Sequence, residues 1–133
     1  MTKPDKGAPG NIVSGGRERS SCPIASTLDI VGDKWSLVLV RDLLTGKQRF
    51  NQFCDSPEGV PTNLLAARLR KLEAQGIVVK QPYQTRPVRY AYTLTPAGRA
   101  LLPVLQVICR WANTYIDGTW VPPDAFMTMK AKL

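Results

Sequence analysis

The feature that most restricts the fold is a pair of short helical segments between Arg49 and Gly76, separated by a break. The break is Ser56-Pro57-Glu58-Gly59, and neither helix accommodates a proline and a glycine two residues apart. The second segment opens with Pro61-Thr62, where a proline loses no hydrogen bond and the threonine hydroxyl is predicted to accept one from an unpaired backbone N–H. Gly76 ends this segment, so the sequence predicts two helices joined by a turn.

The second helix has one apolar side and one cationic side. At about 100° per residue, Leu65, Leu69 and Leu72 form a single stripe that must be buried. The opposite side is short, polar and basic, and it consists of Asn63, Ala67, Arg70 and Lys71. Arg can bond guanine bidentately and Asn can bond adenine, so these residues are typical of a helix in a DNA major groove. Ordinary solvated helix positions are the alternative interpretation.

The segment after Gly76 favours the DNA interpretation. Residues 77–83 and 88–94 read as two strands, and the link between them places Arg86 and Arg89 near the tip of a hairpin. A helix pair followed by a basic hairpin is the winged helix-turn-helix arrangement, in which the hairpin reaches across phosphates towards the adjacent minor groove. The predicted fold class is therefore mainly α with a β-hairpin wing (α+β).

The predicted DNA contacts fall into two groups. The side chains expected at base edges are Asn63, Ala67 and Arg70. The side chains expected mainly on phosphates are Thr62, Arg68, Lys71, Arg86 and Arg89. Arg68 lies beside the buried stripe, so an ion pair with Asp55 or Glu58 that holds the two helices together is an equal alternative for it.

Charge and residue usage indicate a polyanionic partner and argue against catalysis. The net charge is +8, and residues 47–95 carry eight Lys/Arg against three acids, which is the footprint of a nucleic acid or an anionic membrane surface as partner. The chain has no histidine and three scattered cysteines, which excludes Ser-His-Asp and Cys-His pairs, zinc fingers and a Cys₄ metal site. The sequence therefore predicts neither an enzyme nor a metal or cofactor site.

The sequence also argues against a membrane protein. No apolar run approaches the roughly 18 residues that span a bilayer, and the N-terminus lacks the apolar core of a signal peptide. We therefore expect a cytoplasmic protein with double-stranded DNA as its partner.

Further helices are predicted on both sides of the central motif. They span Pro23 to about Val31, Lys34 to Thr45 with Asp33 as N-cap, and Pro96 to about Ile116 with a kink at Pro103. The first and last carry apolar stripes beyond the needs of a small monomeric core, which implies a homodimer. The residues expected at its interface are Ile24, Leu28, Leu101, Leu105, Ile108, Ala112 and Tyr115.

Composition divides the chain into three parts. Residues 1–21 contain few large apolar side chains and are expected to form a flexible tail. Residues 22–117 form the predicted DNA-binding and dimerisation domain, and residues 118–133 form a predicted C-terminal tail.

Several segments resemble a known family of bacterial proteins. They are Cys22-Pro23-Ile24-Ala25, the 28–35 segment LDIVGDKW, Arg49-Phe50-Asn51, the 64–73 segment LLAARLRKLE, Gly76-Ile77-Val78 and the 92–98 segment YTLTPAG. Together they are similar to the HxlR-type winged helix-turn-helix transcription regulators. The resemblance implies a homodimer that binds a palindromic operator, with dimer contacts from the first and last helices. Many members have Ser-Pro where this chain has Pro61-Thr62, which leaves the register of base reading open.

Cys22 is the candidate sensing residue. It lies at a helix start directly before Pro23, where unpaired N–H groups and the helix dipole favour a thiolate. Some HxlR-type members carry a cysteine at the matching position and respond through it to oxidants, aldehydes or quinones, so the resemblance implies a redox or electrophile switch. A seam cysteine without a signalling role, a small apolar ligand at the dimer seam and the lack of any effector stay open. Cys54 and Cys109 are interpreted as core residues.

The sequence thus predicts a dimeric, sequence-specific DNA-binding transcription regulator. A nonspecific architectural DNA- or RNA-binding protein is the alternative, since the charge alone allows it.

Overall fold

The structure is a computed structural model that describes Ile12 and residues 19–132. Its elements, in chain order, are α1 Pro23–Val31, α2 Ser36–Leu44, α3 Phe50–Cys54, α4 Thr62–Ala74, β1 Val78–Thr85, β2 Val88–Leu94, α5 Pro96–Arg99, α6 Leu102–Tyr115 and α7 Asp124–Met127. The predicted mixture of helices with one antiparallel hairpin is confirmed. Most of the predicted flexible tail, residues 1–21, lies outside the described residues. In the described part, none of the helices has the length and apolarity needed to cross a membrane.

The core forms where α2, α3 and α4 meet the base of the hairpin. Leu65, Leu69 and Leu72, the predicted stripe of α4, are at most 1 % exposed and belong to one cluster with Leu39 and Phe53. Burying a side chain of this size contributes about 1.5–3 kcal/mol. The stripe therefore fixes which side of α4 remains in solvent.

The start of each of two helices differs from its predicted form. The Asp33 carboxylate accepts hydrogen bonds from the N–H groups of Trp35 and Ser36 at 3.0 and 3.1 Å, so α2 begins later than the predicted Lys34. At α4 the predicted cap is wrong, because Pro61 is the residue before the helix and no side chain of the described residues caps it. Thr62 is already the first helical residue.

The hairpin is anchored at its base and closed by a tight turn. Strands β1 and β2 pair from Val78 opposite Leu94 to Thr85 opposite Val88, so β1 runs two residues further than predicted. At the tip, Gln84 Nε2 donates to the carbonyls of Arg86 and Pro87 at 3.3 and 3.2 Å.

The base of the hairpin is attached to the segment before α3. The Tyr92 N–H donates to the Gln48 carbonyl at 2.7 Å, and Arg49 forms a bridge with Ala91. The wing is therefore held to the first helix of the motif as well as to α4, which packs against β1.

The predicted helix over residues 96–116 is two helices. Between α5 and α6 the chain turns at Ala100 and Leu101, and Pro103 lies in the first turn of α6. A proline there loses no helical hydrogen bond, whereas inside a continuous helix it costs about 3 kcal/mol. Pro103 therefore begins a helix and does not kink one.

Gly98 allows α5 to contact the hairpin base. A Cβ at this position would lie 2.3 Å from the Ile77 carbonyl oxygen and 2.9 Å from Leu94 Cδ2. The Thr95 hydroxyl oxygen accepts the Gly98 N–H at 3.1 Å and lies 2.6 Å from the Gly76 carbonyl to which it donates. This part of the 92–98 segment thus joins the end of α4 to the start of α5.

The C-terminal segment, defined as residues 118–132, folds back onto α6. The buried amide of Gln106 donates to the carbonyls of Phe126 and Met129 at 3.0 and 2.8 Å. Arg99 Nε donates to the Lys132 carbonyl. The predicted boundaries between domain and tails stay predictions, but these residues pack on the helical body.

Candidate nucleic-acid interface

The turn between α3 and α4 is fixed to α2 by paired side chains. Arg41 donates to both carboxylate oxygens of Glu58, at 2.7 and 2.8 Å, and also to Asp42 at 2.8 Å. The hydroxyl of Ser56 donates to the buried carboxylate of Asp42 and accepts from Lys47 Nζ at 3.0 Å. The hydrogen bonds with Glu58 raise the pKa of Arg41 and lower the pKa of Glu58. The start of α4 is thus held relative to α2.

The solvent side of α4 presents most of the predicted contact residues. Thr62, Asn63 and Arg70 are exposed, and Ala67 and Lys71 are half-buried. Asn63 and Arg70 are seven residues apart, which is nearly two helical turns, so they lie one above the other on the same face.

Arg68 differs from its neighbours on α4. Its Nε donates to Asp33 Oδ2 at 2.9 Å. Arg68 therefore forms an internal ion pair, as the alternative interpretation expected, but the predicted partners Asp55 and Glu58 are wrong. Asp33 precedes α2, whereas the predicted partner Glu58 is bound by Arg41. Burial acts to raise the pKa of the Asp33 carboxyl, but hydrogen bonds from Ser36 and Trp35 and the Arg68 charge outweigh it and lower that pKa.

Cationic side chains lie at the tip of the hairpin and also along its strands. Arg86 and Arg89 are exposed at the tip, as predicted. Nearer the base, the Arg49 guanidinium lies 4.1 Å from the centre of the Tyr83 ring, and Lys80 Nζ lies 4.6 Å from that of Tyr90.

Arg49 and Lys80 received no site role from the sequence, although both belong to its basic segment. In the structure, backbone pairing of Arg49 with Ala91 and of Lys80 with Tyr92 places these two residues at the wing. These pairings depend on strand register, which the charge pattern does not contain.

Apart from Arg49, which lies over the Tyr83 ring, the arginines of residues 19–132 divide into two sets. Those that donate to carboxylates or carbonyls of the protein itself are Arg19, Arg41, Arg68 and Arg99. Those whose side chains make no ion pair or hydrogen bond within the described residues are Arg70, Arg86, Arg89 and Arg110. The second set includes the exposed arginines of α4 and of the wing tip, so their guanidinium donors remain available to an external acceptor.

The predicted dimer residues lie in two environments. Ile24, Leu28, Ile108 and Tyr115 are exposed, together with Val107 and with Trp111 at 58 %, and Ala112 is half-buried. Leu105 belongs to the core of the protomer, and Leu101 packs against that core. The exposed residues give α1 and α6 one apolar face each.

Cys22 is exposed at the N-cap of α1. Hydrogen bonds from the N–H groups of Ala25 and Ile24 lower the pKa of its thiol. Cys54 and Cys109, expected in the core, are both half-buried, and Cys54 packs against the core cluster.

A family model described as HxlR-like helix-turn-helix matches residues 30–119. The chain belongs to this family. The HxlR-like protein is thus a transcription regulator, its fold is a winged helix-turn-helix, and DNA is its partner. The predicted family and fold class are confirmed.

Relatives of the HxlR-like protein agree with this assignment. The HTH-type transcriptional regulator YdeP of Bacillus subtilis is 38 % identical over 96 residues, which are 72 % of this chain and 75 % of YdeP. The redox regulator HypR in its oxidized form matches with a TM-score of 0.65 at 36 % identity, over 72 % of this chain and 99 % of HypR. The reduced transcriptional regulator YodB from B. subtilis matches with a TM-score of 0.62 at 30 % identity, over 76 % and 100 %.

We expect Arg68→Ala to destabilise the HxlR-like protein by about 1 kcal/mol, because it removes a charged hydrogen bond that is only partly screened by water. Arg70→Ala, a matched change two residues along α4, should leave stability unchanged within about 0.5 kcal/mol. Urea unfolding at pH 7 measures both. Equal stability of the two variants would contradict the assignment of Arg68 to the fold.

The ion pair between Arg68 and Asp33 makes a pH-dependent contribution to stability. Folding lowers the pKa of Asp33, so the stability from Arg68 is fully present above the unfolded pKa of about 4 and is lost as the pH falls through the lower folded pKa. The stability gap between wild type and Arg68→Ala should therefore close on acidification below about pH 4.

Proposed function

We propose that the protein binds a two-fold symmetric DNA operator as a homodimer, with α4 in the major groove and the hairpin on the flanking backbone. The observation that carries this proposal is the set of arginines on α4 and at the wing tip whose side chains are unpaired within the described part of the chain. Arg41 and Arg68 are paired within the protein, whereas Arg70, Arg86 and Arg89 have no acceptor among residues 19–132. Phosphates and guanine edges supply such acceptors.

Base reading is assigned to the aligned residues Asn63 and Arg70, with Ala67 between them to allow close approach. Phosphate contacts are assigned to Thr62, Lys71, Arg86 and Arg89, extended by Arg49 and Lys80 from their places beside the wing. Among the described residues no side chain caps α4, so its first-turn N–H groups can also bind a phosphate. Arg68 is retained as the residue that positions α4 through Asp33.

The dimer is proposed from the two exposed apolar faces. The rings of Trp111 and Tyr115 lie beside each other on α6, with centres 5.6 Å apart and planes inclined by 44°, and both are exposed. Aromatic side chains in such patches are typical of protein interfaces. A two-fold dimer places its recognition helices about 34 Å apart, which gives half-sites roughly ten base pairs apart.

Selection of duplexes from random DNA should recover a two-fold symmetric sequence. On that sequence Arg70→Ala should lose roughly 1–3 kcal/mol of affinity, while on random DNA it should lose much less. Arg89→Ala should weaken binding on all sequences and reduce the salt slope by about one ion. Enrichment of no sequence would instead favour an architectural binder, and identical behaviour of the two variants would refute the division of roles.

Trp111→Glu should convert the dimer to a monomer, because it places a charge in the apolar face of α6. Light scattering at micromolar concentration should give twice the protomer mass of 14.7 kDa for wild type and the protomer mass for the variant. Val79→Glu, an exposed apolar residue on β1, is the matched control and should remain dimeric. A monomeric wild type would refute the dimer.

We further propose that Cys22 responds to oxidants or electrophiles. The exposed thiol has a lowered pKa, so its nucleophilic thiolate is populated at lower pH than in an ordinary cysteine. With a quinone, the thiolate sulfur forms one C–S bond and the ring takes up a proton to become a substituted hydroquinone. The match to HypR, which is a redox regulator, supports this role.

Methyl-p-benzoquinone should weaken operator binding by wild type and not by Cys22→Ser. The alkylation rate of Cys22 should rise with pH and level off at a lower pH than that of an unstructured thiol. Cys54→Ser and Cys109→Ser are the controls and should respond like wild type. Equal loss of binding in wild type and Cys22→Ser, or no loss in either, would exclude Cys22 as the switch.

A further inference from the structure

A half-open cavity of ≈ 450 Å³ lies between the end of α2, strand β2, the α5–α6 region and the C-terminal segment. Its apolar wall consists of Leu43, Leu44, Tyr92, Leu94, Leu102 and Met129. The volume is within the usual range of sites for small organic ligands, which are lined mainly by apolar side chains with a few polar groups.

The charged groups that line this cavity, among the described residues, are all cationic. Arg99, Lys130 and Lys132 line it, and none of its described lining residues is acidic. Arg99 is held in place by donating to the Leu94 carbonyl at 2.7 Å and to the Lys132 carbonyl. Neither lysine side chain forms an ion pair within residues 19–132. The positive charge therefore has no counter-charge from the described lining.

We propose that this cavity binds an organic anion with an apolar body, of the class of aromatic or branched aliphatic carboxylates. The body packs on the leucines and Met129, and the carboxylate lies near Arg99 and the two lysines. An inorganic anion would leave the apolar wall in water, and a neutral apolar molecule would gain no attraction from the cations. This site lies within one protomer, unlike the exposed faces of α1 and α6.

The position of the cavity connects a ligand to the wing. Gln48 and Tyr92 both line it, and the hydrogen bond between them attaches the hairpin to the segment before α3. A ligand that contacts these two residues acts on the joint between the wing and the helix pair. Its effect on operator affinity rests on the DNA-binding function proposed above, whereas ligand binding itself does not.

The experiment compares 1-naphthaleneacetate with its uncharged amide, 1-naphthaleneacetamide, by calorimetry and by NMR of the ¹⁵N-labelled full chain. We expect the anion to bind about fivefold more tightly than the amide, which corresponds to about 1 kcal/mol from partly exposed charges. Backbone signals of residues 92–94 and 129–132 should shift.

The variant Lys130→Gln with Lys132→Gln should lose this preference for the anion and leave folding unchanged, because both lysines are exposed. Arg86→Gln with Arg89→Gln removes the same charge at the wing tip. It should retain ligand affinity while losing DNA affinity, which separates a failure of the ligand site from a failure of the DNA proposal.

Equal affinity for anion and amide, binding of neither at millimolar concentration, or shifts confined to the exposed face of α6 would overturn the proposed site. If the anion binds but leaves operator affinity unchanged at saturation, its role as an effector is refuted. A change in operator affinity must be matched by the same factor in ligand affinity when DNA is present, as linkage requires.

Discussion

The orientation of α4, the helix proposed to read DNA, depends on one buried carboxylate, that of Asp42. Its side chain is withdrawn from water and therefore requires partners, which are Ser56 from the turn and Arg41 from the same helix. Removing one partner of a buried charge typically costs about 3–5 kcal/mol. Arg41 also binds Glu58 through both of its terminal nitrogens, so the Asp42 carboxylate and the turn form a single unit. The start of α4, and with it the direction of Asn63 and Arg70, follows from this unit.

Patterns with a local cause were predictable from the sequence. The stripe Leu65, Leu69 and Leu72 gave the buried side of α4, and alternation over residues 88–94 gave strand β2 with its observed bounds. Both signals arise within one element. The fold class and the exposed arginines of the wing tip followed from them.

Features that depend on contacts between distant segments were not predictable. The partner of Arg68 is 35 residues away, and Asp33 competes for it with acids that lie nearer in the chain. The break at residues 100–101 was not predicted because Pro103 is compatible with a helix start as well as with a kink, and periodicity does not distinguish the two. The cavity was missed because its wall combines strand β2 with the C-terminal segment.

Cys22 and the apolar face of α1 are connected by geometry. The cysteine is the N-cap of the helix that carries Ile24 and Leu28, so an adduct on its sulfur lies within one turn of the proposed seam. A bulky or charged group at that point alters the contact surface itself. The proposed modification of Cys22 and the proposed subunit association thus involve the same short helix, so their coupling requires no long-range path through the core.

The C-terminal segment is held by main-chain carbonyls, and this has an evolutionary consequence. Gln106 bonds the carbonyls of Phe126 and Met129, and Arg99 bonds those of Leu94 and Lys132. Every amino acid supplies the same carbonyl, so substitutions at positions 129–132 change what lines the cavity while the attachment of the segment is preserved. The ligand preference proposed for the cavity can therefore change by drift in a few codons of this segment, while the helical scaffold and the solvent side of α4 are left intact.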